Sequence, residues 1–267
     1  MDRPIGVIDS GVGGLTVLKE MYCQLPNEGF IYFADTGRAP YGSRAKDTII
    51  EYSLQNSQFL LQYDIKFLVV ACHSITALAL EVLQEKISVP VVGIVEPAIE
   101  KALKITHNDR IGIIGTEATI QSSVYQKRLR QRRPNVNIFD LPCPLMMPLA
   151  EEGWFKEEET YLIVKKYLLP LKKEKIDTLI LGCSHYPLLK DAIAKVMGPE
   201  VALIDPSTEL VKIVKKNLAK KNLLRAVKDP LRLFIVTDNP ARFKKVGELY
   251  LERVIPYVRL VRTEKAR

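Results

Sequence analysis

Residues 67–74 read FLVVACHS and residues 178–185 read TLILGCSH, and these two stretches decide the fold. Each begins with a short apolar run that is typical of a fully buried strand, and each ends in a cysteine followed by small polar residues and a helical pattern. Cys72 and Cys183 are therefore expected at the carboxyl ends of two strands, beside helix N-termini. Ligands bind at that edge of an open α/β sheet, and the positive end of a helix favours a thiolate. The matching positions predict two thiols that act on one substrate.

Apolar β-rich runs alternate with amphipathic stretches along the whole chain. The candidate strands are residues 4–8, 30–34, 67–71, 90–94, 110–114, 136–140, 177–181, 201–204 and 232–237. The candidate helices between them include residues 45–63, 75–87, 118–132 and 158–173. This alternation predicts the α/β class, with parallel sheets that are covered by helices on both faces.

The chain also repeats itself. Residues 5–10 resemble residues 111–116, the Cys72 stretch resembles the Cys183 stretch, and residues 91–97 resemble residues 201–206, with offsets of 106, 111 and 110. Three matches in the same order and at nearly constant offset indicate an internal repeat. The prediction is two similar doubly wound parallel-sheet domains related by pseudo-twofold symmetry, with an active site in the cleft between them.

The repeat also predicts domain boundaries. We expect residues 1–95 and 207–267 to form a discontinuous N-terminal α/β domain, and residues 96–206 to form the second domain. The apolar stretch at 233–236 would return to complete the first domain.

The composition is that of an ordinary globular protein, with 267 residues of which 47% are hydrophobic and 26% charged. No stretch approaches the ~20 consecutive apolar residues of a membrane span, and the N-terminus leads directly into a strand without a signal peptide. We therefore expect a cytoplasmic protein with reduced thiols and no membrane partner. The four cysteines lack Cys-x-x-Cys spacing, which argues against a disulfide framework and against a metal site. Cys23 and Cys143 are expected to be buried as small hydrophobic residues.

The formal net charge is +8, and part of it is concentrated late in the chain. The cationic residues of this stretch are Lys212, Lys215, Lys216, Lys220, Lys221, Arg225, Lys228 and Arg232. Nucleic-acid binding is one interpretation of such a run. Since no aromatic residues are interleaved with the cations, we interpret the stretch as a solvated helix face and do not expect a nucleic-acid partner.

Two polar loops follow the first two predicted strands. Residues 9–14, DSGVGG, form a glycine-rich turn whose helix N–H groups could hold an anionic group. The turn lacks the dinucleotide-binding spacing and the P-loop lysine. Residues 34–42, ADTGRAPYG, could bring the phenol of Tyr41 and the backbone amide of Gly42 to a ligand. Taken alone, the glycine-rich turn is equally well explained as a plain turn, and the second loop is better explained as one.

The neighbours of the two central cysteines point to chemistry. His73 and Ser74 follow Cys72, and Ser184 and His185 follow Cys183. A Cys–His hydrolase would need only one such cysteine, and the twin site would then have no explanation. Two thiols on opposite faces of a carbon can instead remove a proton and return it with inversion.

At these residues the chain resembles the glutamate racemase family, within the cofactor-independent aspartate/glutamate racemase superfamily. The matching segments are IGVIDSGVGGLTVL, ADTGRAPYGSR, VVACHSITA, VVGIVEPA, IGIIGTEATI and LGCSHYPLL. The resemblance covers nearly the whole chain. It implies two-base interconversion of L- and D-glutamate without pyridoxal phosphate or a metal, supplying D-glutamate for peptidoglycan.

The resemblance also implies roles for individual residues. By that similarity Cys72 and Cys183 transfer the proton, Asp9 assists Cys72, His185 assists Cys183, and Glu151 matches an acidic position before glycine. Glu152 next to it leaves the register of this acid open. The positions that bind the amino acid are matched by Asp9, Ser10, Tyr41, Gly42, His73, Ser74, Thr116, Thr119, Ser184 and His185.

One departure from the family pattern bears on the substrate. Family members usually carry Cys-Asn-Thr where this chain has Cys72, His73 and Ser74. Histidine replaces an amide that both donates and accepts hydrogen bonds, which leaves substrate choice and pH dependence open. The alternatives are a racemase for aspartate or a broader set of amino acids, a regulatory relative that binds gyrase or DNA, and a single-cysteine hydrolase. The sequence leaves a homodimer open.

Overall fold

Two parallel β-sheets form the core of the computed structural model, which describes residues 3–225 and 229–262. The first sheet has the order β10-β9-β2-β1-β3-β4. Its strands are β1 (Ile5–Asp9), β2 (Phe30–Ala34), β3 (Phe67–Val70), β4 (Val91–Gly93), β9 (Arg232–Val236) and β10 (Val258–Leu260). The second sheet has the order β6-β5-β7-β8. Its strands are β5 (Arg110–Gly115), β6 (Asn137–Pro142), β7 (Thr178–Gly182) and β8 (Ala202–Ile204).

Helices separate the strands along the chain, as the alternating pattern predicts. They are α1 (Leu15–Gln24), α2 (Lys46–Leu61), α3 (His73–Lys86), α4 (Val95–Ile105), α5 (Glu117–Gln121), α6 (Val124–Arg132), α7 (Met146–Glu151), α8 (Glu158–Lys173), α9 (Lys190–Met197), α10 (Ser207–Lys220) and α11 (Pro240–Leu251). Short 3₁₀ turns lie at Tyr41–Ser43 and Tyr186–Leu189. The predicted α/β class is therefore confirmed.

The two sheets share one strand order, and this order confirms the internal repeat. In the first sheet β2-β1-β3-β4 are neighbours, and in the second β6-β5-β7-β8 are neighbours. The three repeated stretches form β1 and β5, β3 and β7, and β4 and β8, which occupy equivalent places in the two sheets. Every strand pair in both sheets is parallel, so the carboxyl ends of each sheet's strands lie along one edge.

The central strands of each sheet are buried on both faces, because successive side chains point to opposite sides and helices cover each side. In β1, Val7 packs with α1, α10 and α11 on one face, whereas Ile8 packs with α2 and α3 on the other. In β7, Leu179 and Leu181 pack with α7, α8 and α9, whereas Ile180 packs with α4 and α6. Burial on both faces explains why these strands read as continuous apolar runs.

The C-terminal part of the chain returns to the first sheet, as predicted. β9 pairs with β2 from Phe30 and Arg232 to Ala34 and Val236, and β10 extends the sheet beyond β9. All nine predicted strands are present, with ends that differ from the prediction by at most two residues. β10 was not predicted, because three residues at a sheet edge carry too little pattern. We propose domain boundaries at 95/96 and 206/207, which separate the strands of the two sheets.

Two expectations about local structure are wrong. The predicted helix over 118–132 is broken, because Ser123 has a left-handed backbone (φ 56°) and separates α5 from α6. The Ser122 hydroxyl donates to the carbonyl of Thr119 at 2.6 Å, an alternative to continuing the helix. Cys23 is exposed rather than buried, since it lies on the solvent side of α1. Cys143 is buried, as expected.

The cationic stretch late in the chain forms the exposed side of α10 and the segment that follows it. Lys212, Lys215, Lys216, Lys220, Lys221, Arg225 and Arg232 are exposed, whereas Lys228 lies outside the described residues. A solvated face is therefore the arrangement found. Within residues 3–225 and 229–262, the helices are all too short or too polar to cross a membrane.

Candidate active site

A small cavity lies where the carboxyl ends of strands from both sheets meet. Its volume is about 10 Å³, roughly the room that one water molecule needs. It is lined by Ser10, Tyr41, Gly42, Cys72, His73, Ser74, Thr116, Met147, Cys183, Ser184 and His185. The fold thus brings together ten of the residues predicted from the sequence, and adds Met147. Asp9, Thr119 and Glu151 lie behind this lining and contact it through hydrogen bonds.

The two cysteines occupy comparable positions in the two sheets. Cys72 follows β3 and caps α3, where its carbonyl accepts a hydrogen bond from the amide of Thr76 at 2.9 Å. Cys183 follows β7, but a 3₁₀ turn at Tyr186–Leu189 separates it from α9. Both side chains are buried. The predicted helix N-terminus is therefore present at Cys72, whereas at Cys183 a 3₁₀ turn takes its place.

A carboxylate, an imidazole and a thiol form a chain at the second cysteine. Nδ1 of His185 lies 3.6 Å from Sγ of Cys183, and Nε2 of His185 lies 3.2 Å from Oε1 of Glu151. Burial opposes protonation of His185, but the hydrogen bonds with Cys183 and Glu151 outweigh it and raise the pKa of His185 to about 10. Burial acts against ionisation of Glu151, yet its contacts with His185 leave the Glu151 pKa lowered. His185 therefore carries a proton beside the Cys183 sulfur at neutral pH.

The structure distinguishes the two adjacent acids. Glu151 ends α7 and contacts His185, whereas the neighbouring Glu152 is exposed and pairs with Arg242 at 2.7 Å. Glu151 is thus the acid that belongs to the site.

The first cysteine has a different environment. Its Sγ lies 3.8 Å from Oγ of Ser10, which is its only hydrogen-bonding side chain within the described ranges. Burial and the nearby carboxylate of Asp9 raise the pKa of Cys72 to about 12. Asp9 accepts hydrogen bonds from the amide of Gly11 at 2.8 Å and from the hydroxyl of Ser184 at 3.1 Å. Asp9 therefore acts on Cys72 through its charge and is held by a residue of the opposite half.

Three hydroxyl groups form a cluster across the two halves. Oγ of Ser74 on α3 lies 2.9 Å from Oγ1 of Thr116 and 3.3 Å from Oγ1 of Thr119. The two threonine hydroxyls are 3.0 Å apart, and Thr116 also caps α5 by accepting from the amide of Thr119. A hydroxyl can donate or accept, so this cluster suits a ligand that carries both carboxylate and ammonium groups.

The loop after β2 is held from behind by a buried carboxylate, Asp35, whose role was not predicted from the sequence. The Tyr41 hydroxyl donates to Asp35, which also accepts from Nε of Arg38 at 2.7 Å and from Oγ1 of Thr237 at 2.8 Å. Burial raises the pKa of the Tyr41 phenol well above its usual value. The Tyr41 ring lines the cavity, while its hydroxyl anchors the loop. Asp35 directly follows a predicted strand, and this position was the only signal for its role.

Glycine permits close approach of the two halves at two points. A Cβ at Gly42 would lie 2.5 Å from Cβ of Thr116, and a Cβ at Gly13 would lie 2.7 Å from Nδ1 of His185. Both contacts are too short for a side chain. The glycine-rich turn and the PYG loop therefore pack backbone against the opposite half.

His73 begins α3 and is buried. Its Nδ1 lies 2.7 Å from the hydroxyl of Tyr125 on α6, and the two rings are stacked at an interplanar angle of 27°. Burial lowers the pKa of His73 to about 3, so the ring is neutral at physiological pH. No sequence pattern indicated this contact, because its two residues are far apart in the chain.

Comparison with known proteins agrees with this geometry. The family model described as Asp/Glu/hydantoin racemase matches residues 32–214. The glutamate racemase of Geobacter metallireducens is 47% identical over 250 residues, which cover 93% of each chain. A crystal structure of the Francisella tularensis glutamate racemase in complex with D-glutamate has a TM-score of 0.93 at 36% identity, covering 98% of both chains. The Bacillus anthracis glutamate racemase structure has a TM-score of 0.93 at 39% identity, covering 97% of both chains.

The family match spans more than half of the chain, and the relatives align over nearly its full length. The structure agrees with that similarity, since its two parallel sheets share one strand order and its paired cysteines line one cavity. The chain belongs to the Asp/Glu/hydantoin racemase family and, within it, groups with the glutamate racemases.

Proposed function

We propose that this protein is an isomerase that interconverts L- and D-glutamate by proton transfer between two thiols. The observation that carries the proposal is one small cavity lined by Cys72 from the first sheet and Cys183 from the second. The name and the bound D-glutamate of the related structures indicate the substrate. The proposal assigns the proton transfer to side chains of the protein, with no cofactor.

The first step is removal of the α-proton by a thiolate. Cys183 is the base in this proposal, because Nδ1 of protonated His185 lies 3.6 Å from its sulfur, where it can donate a charge-assisted hydrogen bond to the sulfur. Glu151 holds His185 from its other ring nitrogen at 3.2 Å. The C–H bond breaks, the proton passes to the sulfur, and its electron pair stays on the α-carbon and spreads into the adjacent carboxylate.

The second step is delivery of a proton to the opposite face of the carbon. The raised pKa of Cys72, about 12, keeps this thiol protonated at neutral pH. Cys72 gives its proton to the carbanion and becomes the thiolate, while Cys183 has become the thiol. The charge and the proton have exchanged sites, so the opposite enantiomer can react in the reverse direction without other reagents.

The groups around the cavity supply the hydrogen-bond donors that a thiolate, a weak base, needs in order to remove the α-proton. A very weak carbon acid loses its proton only where donors already face the developing negative charge and water is excluded. The hydroxyls of Ser10, Ser74 and Thr116 and the backbone of Gly42 line the cavity. Because that cavity has room for about one water molecule, the two halves must separate to admit glutamate.

The proposal extends to the cellular setting. We propose that the protein acts in the cytoplasm and supplies D-glutamate for peptidoglycan. We also propose a homodimer, since Val254, Tyr257 and Leu260 are exposed apolar side chains around the edge strand β10. Sedimentation velocity at several concentrations tests the dimer.

Serine variants of the cysteines test the reaction. Cys72→Ser and Cys183→Ser should each lower the racemisation rate by at least ~1,000-fold, because a serine hydroxyl is a far weaker acid than a thiol. Circular dichroism at a wavelength where the enantiomers differ gives the rate. Calorimetry with D-glutamate shows whether the site still binds. The buried but more distant Cys143→Ser is the matched control.

The isotope pattern gives a second readout. In D₂O, two thiols place deuterium in the product enantiomer and leave the remaining substrate largely protonated, whereas a single base returns deuterium to both. Substantial activity in Cys183→Ser, or deuterium in both enantiomers from the first turnovers, would overturn the two-thiol mechanism. Faster turnover of L-aspartate than of L-glutamate would overturn the substrate.

A further inference from the structure

The contact between His73 and Tyr125 joins the two halves of the molecule at the cavity. His73 begins α3, which follows a strand of the first sheet, and Tyr125 belongs to α6, which follows a strand of the second. Both side chains are almost completely buried, and Nδ1 of His73 lies 2.7 Å from the Tyr125 hydroxyl. His73 lines the cavity, whereas Tyr125 lies behind it.

The direction of this hydrogen bond follows from the donors that are available. Burial raises the pKa of the Tyr125 phenol far above neutrality, so its O–H is always present and needs an acceptor. Within the described part of the chain, Nδ1 of His73 is the only hydrogen-bond partner of that hydroxyl. The Tyr125 O–H therefore donates, and Nδ1 of His73 accepts.

The tautomer of His73 is then fixed. A neutral imidazole carries one proton, and a ring whose Nδ1 accepts must carry that proton on Nε2. Nε2 of His73 has no hydrogen bond to any residue in the ranges 3–225 and 229–262. The ring thus offers one uncharged N–H donor that no other group of the described structure uses.

We propose that Tyr125 is a positioning residue that fixes the Nε2–H tautomer of His73, so that His73, at a position where the family binds the amino acid, donates from Nε2 to the α-carboxylate of the substrate. This inference rests on the proposed function. In glutamate only the two carboxylates accept hydrogen bonds, since the ammonium group has no lone pair. The α-carboxylate is the nearer of the two, because His73 is adjacent in sequence to Cys72, whose sulfur must face the α-carbon.

A neutral donor at this position favours the reaction. Negative charge flows into the α-carboxylate as the proton leaves, so the bond from Nε2 is stronger in the transition state than in the bound substrate. Because the donor carries no charge, its strength does not change with pH over the range in which the enzyme works. Cys183 and Glu96 are the ionisable residues that act on the Tyr125 phenol, and both raise its pKa, so the phenol keeps its proton.

Histidine ¹⁵N NMR tests the tautomer without any turnover. The chain has three histidines, at 73, 107 and 185, so uniformly ¹⁵N-histidine-labelled protein gives three ring systems that His73→Gln and His107→Gln assign. We expect His73 to be the Nε2–H tautomer at every pH from 5 to 9. In Tyr125→Phe the ring should become a mixture of tautomers. Tyr186→Phe is the matched control, since its buried hydroxyl donates to the carbonyls of Gly115 and Cys143 and its loss should leave the His73 tautomer unchanged.

Ligand binding tests whether Nε2–H of His73 points to the α-carboxylate of the substrate. D-Glutamate should shift the Nε2–H resonance of His73, and so should D-glutamine, which keeps the α-carboxylate. D-Isoglutamine, in which a neutral amide replaces the α-carboxylate, should shift the resonance less at concentrations that calorimetry shows to saturate the site, because a neutral carbonyl is a weaker acceptor than a carboxylate.

Kinetics separate positioning from simple structural support. Tyr125→Phe should lower kcat by about tenfold with little change in KM, because the bond is strongest in the transition state. His73→Gln keeps an N–H donor near the Nε2 position and should retain more activity than His73→Leu. In the His73→Gln background the Tyr125→Phe change should have little further effect, since an amide needs no tautomer control.

Several outcomes would overturn the inference. They are an Nδ1–H tautomer in the wild type, an Nε2–H resonance that D-glutamate leaves unmoved in an actively racemising enzyme, and full additivity of the two substitutions. A wild-type protein that neither binds nor racemises glutamate would defeat the proposed function instead, and the tautomer would still be read from the spectrum.

Discussion

At the scale of single residues, the site depends on which of two adjacent acids faces inward. Glu151 lies 3.2 Å from Nε2 of His185, whereas Glu152 points outward to Arg242. Glutamine at each position removes the charge and keeps nearly the same shape, so the pair of substitutions compares one chemical change in two settings.

We predict that Glu151→Gln lowers kcat at least tenfold, because an orienting carboxylate holds a catalytic imidazole in its working state (removal typically costs about 10²-fold or more). The pKa of His185, about 10 in the wild type, should fall, because one of the groups that raise it is lost. Histidine NMR titration and a racemisation assay measure the two effects. Glu152→Gln should change neither, and equal losses in both variants would contradict this assignment.

The candidate site was largely predictable at this scale, because its residues follow strands of a recognisable repeat. Ser10, Cys72 and Cys183 come directly after buried strands, and the topology brings these ends to one cavity. Asp35, Tyr125 and Met147 were not predicted. Their roles depend on contacts between distant segments, and no local pattern records such contacts.

At the scale of elements, the glycine-rich turn after β1 controls how closely the two halves approach. We predict that Gly13→Ala lowers kcat at least tenfold, because its Cβ would lie 2.7 Å from Nδ1 of His185 and would push the imidazole away from Cys183. The racemisation assay measures the loss, and thermal unfolding shows whether the fold persists.

Gly11→Ala in the same turn is the matched control. Its Cβ would lie 3.6 Å from Oε1 of Glu151, an ordinary van der Waals distance, and the Gly11 amide would still donate to Asp9. This variant should keep its rate within ~threefold. If Gly13→Ala turned over as fast as Gly11→Ala, the close approach of His185 would not explain why position 13 is a glycine.

A buried ion pair joins the segment after α10 to the first sheet. Nζ of Lys66 lies 2.5 Å from Oε2 of Glu28 and 2.7 Å from the carbonyl of Leu223, and the two charged side chains are each 2% exposed. The other carboxylate oxygen of Glu28 accepts from the amide of Arg225 at 2.7 Å.

We predict that Lys66→Met lowers the free energy of unfolding by about 3–5 kcal/mol, because it leaves a buried carboxylate without its partner. Urea unfolding followed by circular dichroism measures the change. The surface pair of Lys19 and Glu252, 41% and 74% exposed, gives the comparison, and Lys19→Met should cost at most ~1 kcal/mol. Similar losses in the two variants would show that the buried Lys66–Glu28 pair contributes no more to stability than a surface pair.

Sequence patterns predict the presence of helices and strands better than they predict where these elements begin and end. The nine predicted strands are all present, and the central ones read as apolar runs because they are buried on both faces, whereas the edge strand β6 has no buried residue. The single helix predicted over 118–132 is two helices, since hydrophobic periodicity does not register one residue with a left-handed backbone. β10 was not predicted because its three residues, Val258–Leu260, are too few to show a strand pattern.

At the scale of the whole molecule, His185 couples stability to pH. Its folded pKa of about 10 lies above the unfolded value of 6.5, so the native state binds the proton more tightly. The stabilisation is complete below pH 6.5 and is lost as the pH rises to about 10.

We predict that the difference in unfolding free energy between the wild type and His185→Gln shrinks over this interval, by at most about 1.4 kcal/mol per pH unit. Urea unfolding at pH 6, 8 and 10 gives the difference, which removes the titrations that both proteins share. A difference that is constant or grows with pH would contradict a raised pKa at His185.

The strand order has a consequence for synthesis on the ribosome. All strands of the second sheet lie between Arg110 and Ile204, so that sheet can form while the rest of the chain is still being made. The first sheet begins with the earliest residues but receives β9 and β10 last. Until then, the outer edge of β2 is an open row of backbone donors and acceptors, which attracts other unfinished chains. The nascent chain therefore carries this open edge until the final part of translation, even after the second sheet has formed.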